Sequence, residues 1–70
     1  MMYNWKIDIY LKSGVKLECV YSGVERNTLD VANKLFAGKG LTEFVGLERR
    51  GGNGTIYLMV GEAASYDIYM

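Results

Sequence analysis

The chain has 70 residues, which is enough for one small domain and too few for two. Half of the residues are hydrophobic and 23% are charged, a composition typical of a folded globular protein and not of a disordered one. Eight Lys and Arg residues balance eight Asp and Glu residues, so the net charge provides no attraction to nucleic acid. We therefore expect a single domain over residues 1–70 without a strongly electrostatic partner.

The sequence shows no sign of export or membrane insertion. No apolar run approaches the ~20 residues that a membrane-spanning helix needs. Residues 1–6 also lack the basic-then-apolar order of a signal peptide. Cys19 is the only cysteine, so an intrachain disulfide is excluded. These features favour a cytoplasmic protein that does not interact with membranes.

The missing residue types restrict the chemistry. Histidine is absent, which removes the commonest general base and the commonest metal ligand at neutral pH. The single Cys19 cannot form a thiolate cluster for zinc, and its place on an apolar strand face is typical of a small buried hydrophobic residue. We expect no catalytic residues, no metal site and no cofactor.

The first half of the chain predicts a β-hairpin. Apolar and polar residues alternate over Tyr3–Leu11 and again over residues 15–21, so each strand has one buried face. A three-residue loop that ends in a left-handed Gly14 pairs Ile9 with Leu17 and keeps both apolar sets on one side. A two-residue loop would instead place Ile9 beside a glutamate, so we favour the longer loop.

This register also sets two carboxylates side by side. Asp8 lies opposite Glu18 on the polar face of the hairpin. Paired carboxylates can share a proton or hold a divalent cation. A solvated strand face explains the pair more simply, and we expect both side chains to be exposed.

A short helix follows the hairpin. Asn27 stands at a capping position with Asp30 three residues on, and Gly38 stands where a left-handed C-terminal cap belongs. The pattern predicts a helix over residues 28–37. A helix this short depends on docking against the sheet. The side chains predicted to dock are Leu29, Val31, Leu35 and Phe36.

The second half of the chain predicts another hairpin. Phe44–Arg49 and residues 55–60 read as strands around a glycine-rich turn at residues 51–54. Residues 62–65 are compatible with a single helical turn, and residues 66–70 with a fifth strand. The resulting fold class is α+β, with a small antiparallel sheet in the order β-β-α-β-β and one short helix on one face.

The second strand of this hairpin is apolar on both faces, because Ile56 and Leu58 alternate with Tyr57 and Met59. One short helix cannot cover both faces of a sheet. We therefore predict a homo-oligomer that packs through the helix-free face or along an exposed sheet edge. The alternative is that outward tyrosines cover the sheet while their hydroxyl groups stay hydrated. The predicted interface residues are Tyr10, Tyr57, Met59 and Tyr69.

The glycine-rich turn is a candidate anion site. Two guanidinium groups, those of Arg49 and Arg50, stand beside a loop whose backbone N–H groups could point at a phosphate. The alternative is an ordinary hairpin loop with solvated arginines. In an oligomer, a neighbouring chain could contribute Lys39, which follows the helix, to this site. The predicted ligand-binding residues are Arg49, Arg50, Gly52, Asn53 and Lys39.

Two segments carry a resemblance to a known group of proteins. The residues are the opening strand with its Lys12-Ser13-Gly14 turn, and the apolar ending that includes Ile56-Tyr57-Leu58-Met59-Val60 and Ala64-Ser65-Tyr66-Asp67-Ile68. In this layout the chain resembles small uncharacterised phage and prophage proteins of Gram-positive bacteria. The resemblance implies a host-cell cytoplasmic setting in which small proteins bind host factors or sequester signalling nucleotides.

The sequence therefore favours a non-catalytic binding module that acts as a homo-oligomer, with a host protein or a small phosphorylated ligand as its partner. A nucleic-acid-binding domain is the alternative. It would use basic residues along one edge of the sheet, although the neutral net charge counts against it. The basic residues concerned are Lys6, Lys12, Lys16, Arg49 and Arg50.

Overall fold

A computed structural model describes residues 1–70 as one antiparallel sheet of five strands with one α-helix. The strands are β1 (Tyr3–Leu11), β2 (Lys16–Gly23), β3 (Phe44–Arg49), β4 (Thr55–Met59) and β5 (Ala63–Tyr69). The helix α1 (Thr28–Leu35) lies between β2 and β3, and a 3₁₀ turn (Val60–Glu62) joins β4 to β5. The predicted α+β fold is confirmed, including the fifth strand. α1 has neither the length nor the apolar character of a membrane-spanning helix.

The register of the β1–β2 hairpin follows from its turn. Gly14 adopts a left-handed φ of 92°, which is unstrained only for glycine. The Leu11 N–H donates to the Val15 carbonyl across the turn at 2.8 Å. Ile9 consequently pairs with Leu17, as the three-residue loop predicts. The apolar residues of both strands therefore share one face.

The helix begins as its sequence predicts, and three of the four residues predicted to dock are buried, namely Val31, Leu35 and Phe36. The Asn27 side chain caps the first turn by accepting a hydrogen bond from the Asp30 N–H at 2.8 Å. Val31 is fully buried, whereas Leu29 is 67% exposed, so the prediction that Leu29 docks was wrong. Residues that are two positions apart in an α-helix differ by about 200° around its axis. Leu29 therefore points away from the core when Val31 points into it.

The helix also ends earlier than the pattern over residues 28–37 predicts. α1 stops at Leu35, and Phe36 leaves the helical conformation with a φ of −120°. The Phe36 ring then stacks on the Tyr66 ring of β5, with 4.3 Å between ring centroids. The early end of the helix turns this aromatic ring into the core, where it is 8% exposed.

The sheet is strongly curled. The strand order is β4-β3-β2-β1-β5, so β4 and β5 are opposite edges. The link from Met59 to Ala63 spans at most roughly 14 Å, whereas a flat sheet would separate its two edge strands by roughly 19 Å. The Val60 N–H donates to the Glu43 carbonyl at 2.9 Å, and the Glu62 carbonyl accepts from the Lys12 N–H at 2.9 Å. The two edges of the sheet therefore approach each other at this corner.

The core lies inside the curl, and α1 closes it. Along β1 to β4, alternate residues point inward and most of them are buried, whereas β5 contributes the half-buried Ala63 and Ile68. We call this side of the sheet the inner face and the opposite side the outer face. The buried hydrophobic residues are Trp5, Ile7, Ile9, Cys19, Val31, Leu35, Phe36, Val45, Leu47, Ile56 and Leu58.

The turn between β4 and β5 lies two residues earlier than the sequence suggests. The 3₁₀ turn occupies Val60–Glu62 instead of residues 62–65, and β5 begins at Ala63. Gly61 fixes this position because its N–H donates to the Leu41 carbonyl at 2.8 Å. A Cβ atom at Gly61 would lie 2.8 Å from the same carbonyl oxygen. Only glycine lets the two backbones approach this closely.

We expect Gly61→Ala to lower the free energy of unfolding by about 1–3 kcal/mol, because the backbone of Leu41 must move to admit the methyl group. Gly40→Ala is the matched control, since a Cβ there meets only Glu43 at 3.9 Å. The control should change stability by less than about 0.5 kcal/mol. Urea denaturation of both variants measures the difference. Equal stabilities would contradict the close approach of Gly61 to Leu41.

Candidate functional site

The outer face of the sheet is the largest surface that the helix leaves uncovered. The pairing of Asp8 with Glu18 on one side and with Asp67 on the other places three carboxylates in a row across β2, β1 and β5. Like charges on adjacent strands repel each other. The stability of this row therefore depends on the cations beside it.

Arg50 supplies the main compensating charge. Its Nη2 atom donates to Asp8 Oδ1 at 2.8 Å and to the Cys19 carbonyl at 3.2 Å. The Arg50 N–H also donates to the Glu18 carbonyl at 3.0 Å, which holds the residue against β2 directly after the end of β3. The guanidinium group is thereby placed over the middle of the outer face.

Tyr69 completes the group from the other side. Its hydroxyl donates to Asp8 Oδ2 at 2.9 Å and accepts from Arg50 Nη1 at 3.3 Å. The Arg50 guanidinium carbon also lies 5.8 Å from the centre of the Tyr69 ring. We call Asp8, Arg50 and Tyr69 the polar clasp, because they join the ends of β3 and β5 to β1.

Asp8 is buried, which corrects the expectation of a solvated carboxylate. The residue is only 6% exposed, whereas the Glu18 side chain is 54% exposed. Burial by itself would raise the pKa of the Asp8 carboxyl group. Hydrogen bonds from Tyr69 and Arg50, together with the charge of Lys16, hold this pKa below its ordinary value. Asp8 is therefore a buried, fully partnered anion.

Lys16 neutralises the neighbouring part of the row. Its Nζ atom lies 3.9 Å from Asp8 Oδ2 and 3.6 Å from Glu18 Oε2. The same ammonium group lies 5.9 Å from the centre of the Tyr10 ring. Its proximity to Asp8 raises the pKa of Lys16 and keeps the ammonium charged. Each of these side chains already has a partner within the chain.

An apolar patch occupies the β4 side of the outer face. Phe44 pairs with Met59, and the next pair on this face is Gly46 with Tyr57. Phe44 is 62% exposed and Tyr57 is 73% exposed. A Cβ atom at Gly46 would lie 3.1 Å from the Tyr57 ring, so the ring leans over the glycine. We define the apolar patch as Phe44, Tyr57 and Met59.

The four predicted interface residues all lie on the outer face, but in two separate places. Tyr57 and Met59 belong to the apolar patch on β4. Tyr10 lies on β1 and Tyr69 on β5, at the far side of the sheet order. Tyr69 is committed to the polar clasp, and Tyr10 is half-buried beside Lys16. Of the four, only Tyr57 and Met59 present apolar surface that no partner within the chain occupies.

The glycine-rich loop keeps part of the predicted anion site. A pocket of about 230 Å³ lies at this loop. It is lined by Glu48, Arg49, Gly52, Gly54 and Thr55. The Gly52 N–H is used within the loop, where it donates to the Arg49 carbonyl at 3.2 Å. A carboxylate in the lining and an occupied N–H group both weaken the attraction to phosphate.

The remaining predicted ligand-binding residues lie apart from this pocket. Arg50 points into the polar clasp, and its buried Nε atom is inaccessible to a ligand. Asn53 lies in the loop but does not line the pocket. Lys39 precedes β3, whereas the loop follows it, so the length of that strand separates the two within one chain.

Cys19 and the acidic side chains are the groups that could serve as a nucleophile or as metal ligands. Cys19 is fully buried on β2, and burial raises the pKa of its thiol group, which keeps it protonated and unreactive at neutral pH. The structure contains no group of three or more acidic, cysteine or histidine side chains arranged to hold a metal ion.

Comparisons with known proteins add no relatives. No protein-family model, no curated protein and no solved structure matches the chain.

Sequence reasoning missed the polar clasp. Asp8 and Arg50 are 42 positions apart, and Asp8 and Tyr69 are 61 positions apart. An aspartate between two isoleucines on an interior strand, facing another carboxylate, does call for a cation nearby. The sequence gives no indication of which cation it is.

We expect the ionisation of Asp8 to make the free energy of unfolding depend on pH in the acid range. Because its folded-state pKa is lowered, ionised Asp8 stabilises the fold above the ordinary pKa of 3.8, and this contribution is lost as the pH falls through the folded-state value. Asp8→Asn should therefore unfold at lower urea concentration at neutral pH, and its difference from wild type should shrink in acid.

Asp67→Asn is the matched control on the same face, because Asp67 is exposed and forms no ion pair. It should not lower the urea midpoint at neutral pH. A constant difference between Asp8→Asn and wild type across the acid range would contradict an ionised, partnered Asp8.

Proposed function

We propose that this protein is a non-catalytic interaction module that acts as a homo-oligomer and binds a protein partner through the outer face of its sheet. The observation that carries this proposal is the apolar patch. Phe44 and Tyr57 expose most of their surface on adjacent strands, with Met59 half-buried beside them. Tyr, Phe and Met are enriched where proteins meet.

Chain size supports the same proposal. A domain of about 70 residues buries a smaller share of its unfolded surface than a larger domain does, and its core contributes little net stability. This chain has no disulfide, since Cys19 is its only cysteine. Burial of the apolar patch against another chain would add the stabilisation that the core lacks.

The charge distribution favours a protein partner over a small phosphorylated ligand. Arg50 and Lys16 already neutralise Asp8 and Glu18, so they offer little free positive charge. At the glycine-rich loop only Arg49 remains, beside a carboxylate. The resemblance to phage and prophage proteins is in keeping with a module that binds a host protein, as an accessory or anti-defence factor in the host cytoplasm.

The same pairing weighs against the nucleic-acid alternative. The basic edge proposed for that function includes Lys16 and Arg50, and both face carboxylates within 4.0 Å. Phosphate binding draws its affinity from unpaired cations that release counterions. On the outer face of this sheet these basic groups lie beside carboxylates that already neutralise them.

Light scattering after size exclusion tests the proposed oligomer. We expect a species of at least twice the chain mass at tens of micromolar. Replacement of both Phe44 and Tyr57 by Ser should raise the dissociation constant by about tenfold or more, since each aromatic ring lost from an interface is costly. A wild-type monomer at these concentrations would refute the oligomer.

Leu29→Ser is the matched control, because Leu29 is equally exposed but lies on α1, away from the apolar patch. It should leave the association unchanged. If the control weakens association as much as the double variant does, the apolar patch is not the contact surface.

A further inference from the structure

The free edge of β4 is the best-defined unsatisfied surface of the molecule. The Val60 N–H donates to the Glu43 carbonyl, and the Arg49 N–H donates to the Gly54 carbonyl. These two bonds show which residues of the β3–β4 ladder are hydrogen-bonded pairs. The backbone N–H and C=O groups of Ile56 and Leu58 form hydrogen bonds with β3. The backbone N–H and C=O groups of Thr55, Tyr57 and Met59 point away from β3, at the free edge of the sheet.

This edge lacks the features that normally prevent strand pairing. Exposed edges are usually protected by charged side chains, proline, bulges or a covering element. Thr55–Met59 contains no charge and no proline. The opposite edge is different, because β5 contacts α1 and carries Asp67. Of the two edges, β4 is the one open to another strand.

We infer that two copies of the chain pair through β4 in an antiparallel arrangement, with the two-fold axis at Tyr57. This inference rests on the proposed homo-oligomer and names its contact. The backbone N–H and C=O groups of Tyr57 then form two hydrogen bonds with those of the partner's Tyr57. Thr55 forms two such bonds with the partner's Met59. About six backbone hydrogen bonds join the two sheets into one continuous sheet.

A second copy fits this edge because the strand is self-complementary. A two-fold axis through a strand places the central residue opposite its own copy and brings nearby charges of the two strands within a few residues of each other. Thr55–Met59 has no charge to repel. The same operation about the middle of β5 would bring the two copies of Asp67 near each other. Pairing through β4 also places the two Tyr57 rings side by side on the outer face, so the apolar patches of both copies become continuous.

Met59→Pro, compared with Met59→Ala, tests this pairing. Met59 has a φ of −76°, which suits proline, and its N–H points away from β3, so the monomer loses no ladder bond. Alanine removes the same side chain but keeps the N–H group. We expect Met59→Pro to raise the dissociation constant by about tenfold or more relative to Met59→Ala, since two intermolecular bonds are lost.

A cross-linking pair gives an independent reading that does not depend on how the proline variant folds. Tyr57→Cys should form an intermolecular disulfide under mild oxidation, because paired residues at the axis lie about 5.5 Å apart between Cα atoms. Phe44→Cys is the control. Copies of β3 would be about 14 Å apart, which is too far for a disulfide.

The outcomes separate this inference from the proposed function. Strong association of Met59→Pro, or a disulfide through position 44 and none through position 57, would overturn pairing at β4 and leave the oligomer standing. A monomeric wild type would overturn both. Selective loss with Met59→Pro and a selective 57–57 disulfide would support the two-fold pairing through β4.

Discussion

The ion pair between Arg50 and Asp8 holds together parts of the sheet that share little backbone pairing. β2 and β3 form only two ladder pairs, so the β3–β4 hairpin is weakly attached to the rest of the sheet by its backbone. Arg50 follows β3 directly, yet its guanidinium group reaches Asp8 on β1 and the Cys19 carbonyl on β2. Tyr69 adds the last strand through its hydroxyl group. On the inner face the apolar core makes the same connection, so the hairpin is held from both sides.

This arrangement divides the outer face into two regions with different roles. The centre is occupied by charged groups that pair with one another, and a buried anion such as Asp8 is stable only while its partners remain in place. The β4 side has apolar side chains, exposed aromatic rings and an open strand edge. The centre therefore stabilises the fold, and the β4 side is the surface that we propose for binding. The absence of charge from Thr55–Met59 is what makes the two regions distinct.

Local features could be predicted from the sequence, and distant contacts could not. The Gly14 turn sets the β1–β2 register within a few residues, and Asn27 caps α1 within one turn, so both were predictable. Leu29 was assigned to the wrong side because several apolar residues on a short helix allow more than one docking face. The environment of Asp8 depends on residues from the other end of the chain, which the pattern of one strand cannot reveal. The same limit applied to the predicted anion site. Because the Arg50 side chain binds Asp8, only Arg49 remains available to bind an anion at the loop.

Amide hydrogen exchange at two protein concentrations tests this division of the outer face most directly. In a dilute sample the outward N–H groups of Tyr57 and Met59 have no backbone partner and should exchange rapidly. In a concentrated sample pairing of β4 with a second copy should slow their exchange, while exchange in β5 and at Arg50 stays the same. Unchanged exchange in β4 at all concentrations, or new protection confined to β5, would contradict the assignment of the β4 side as the binding surface.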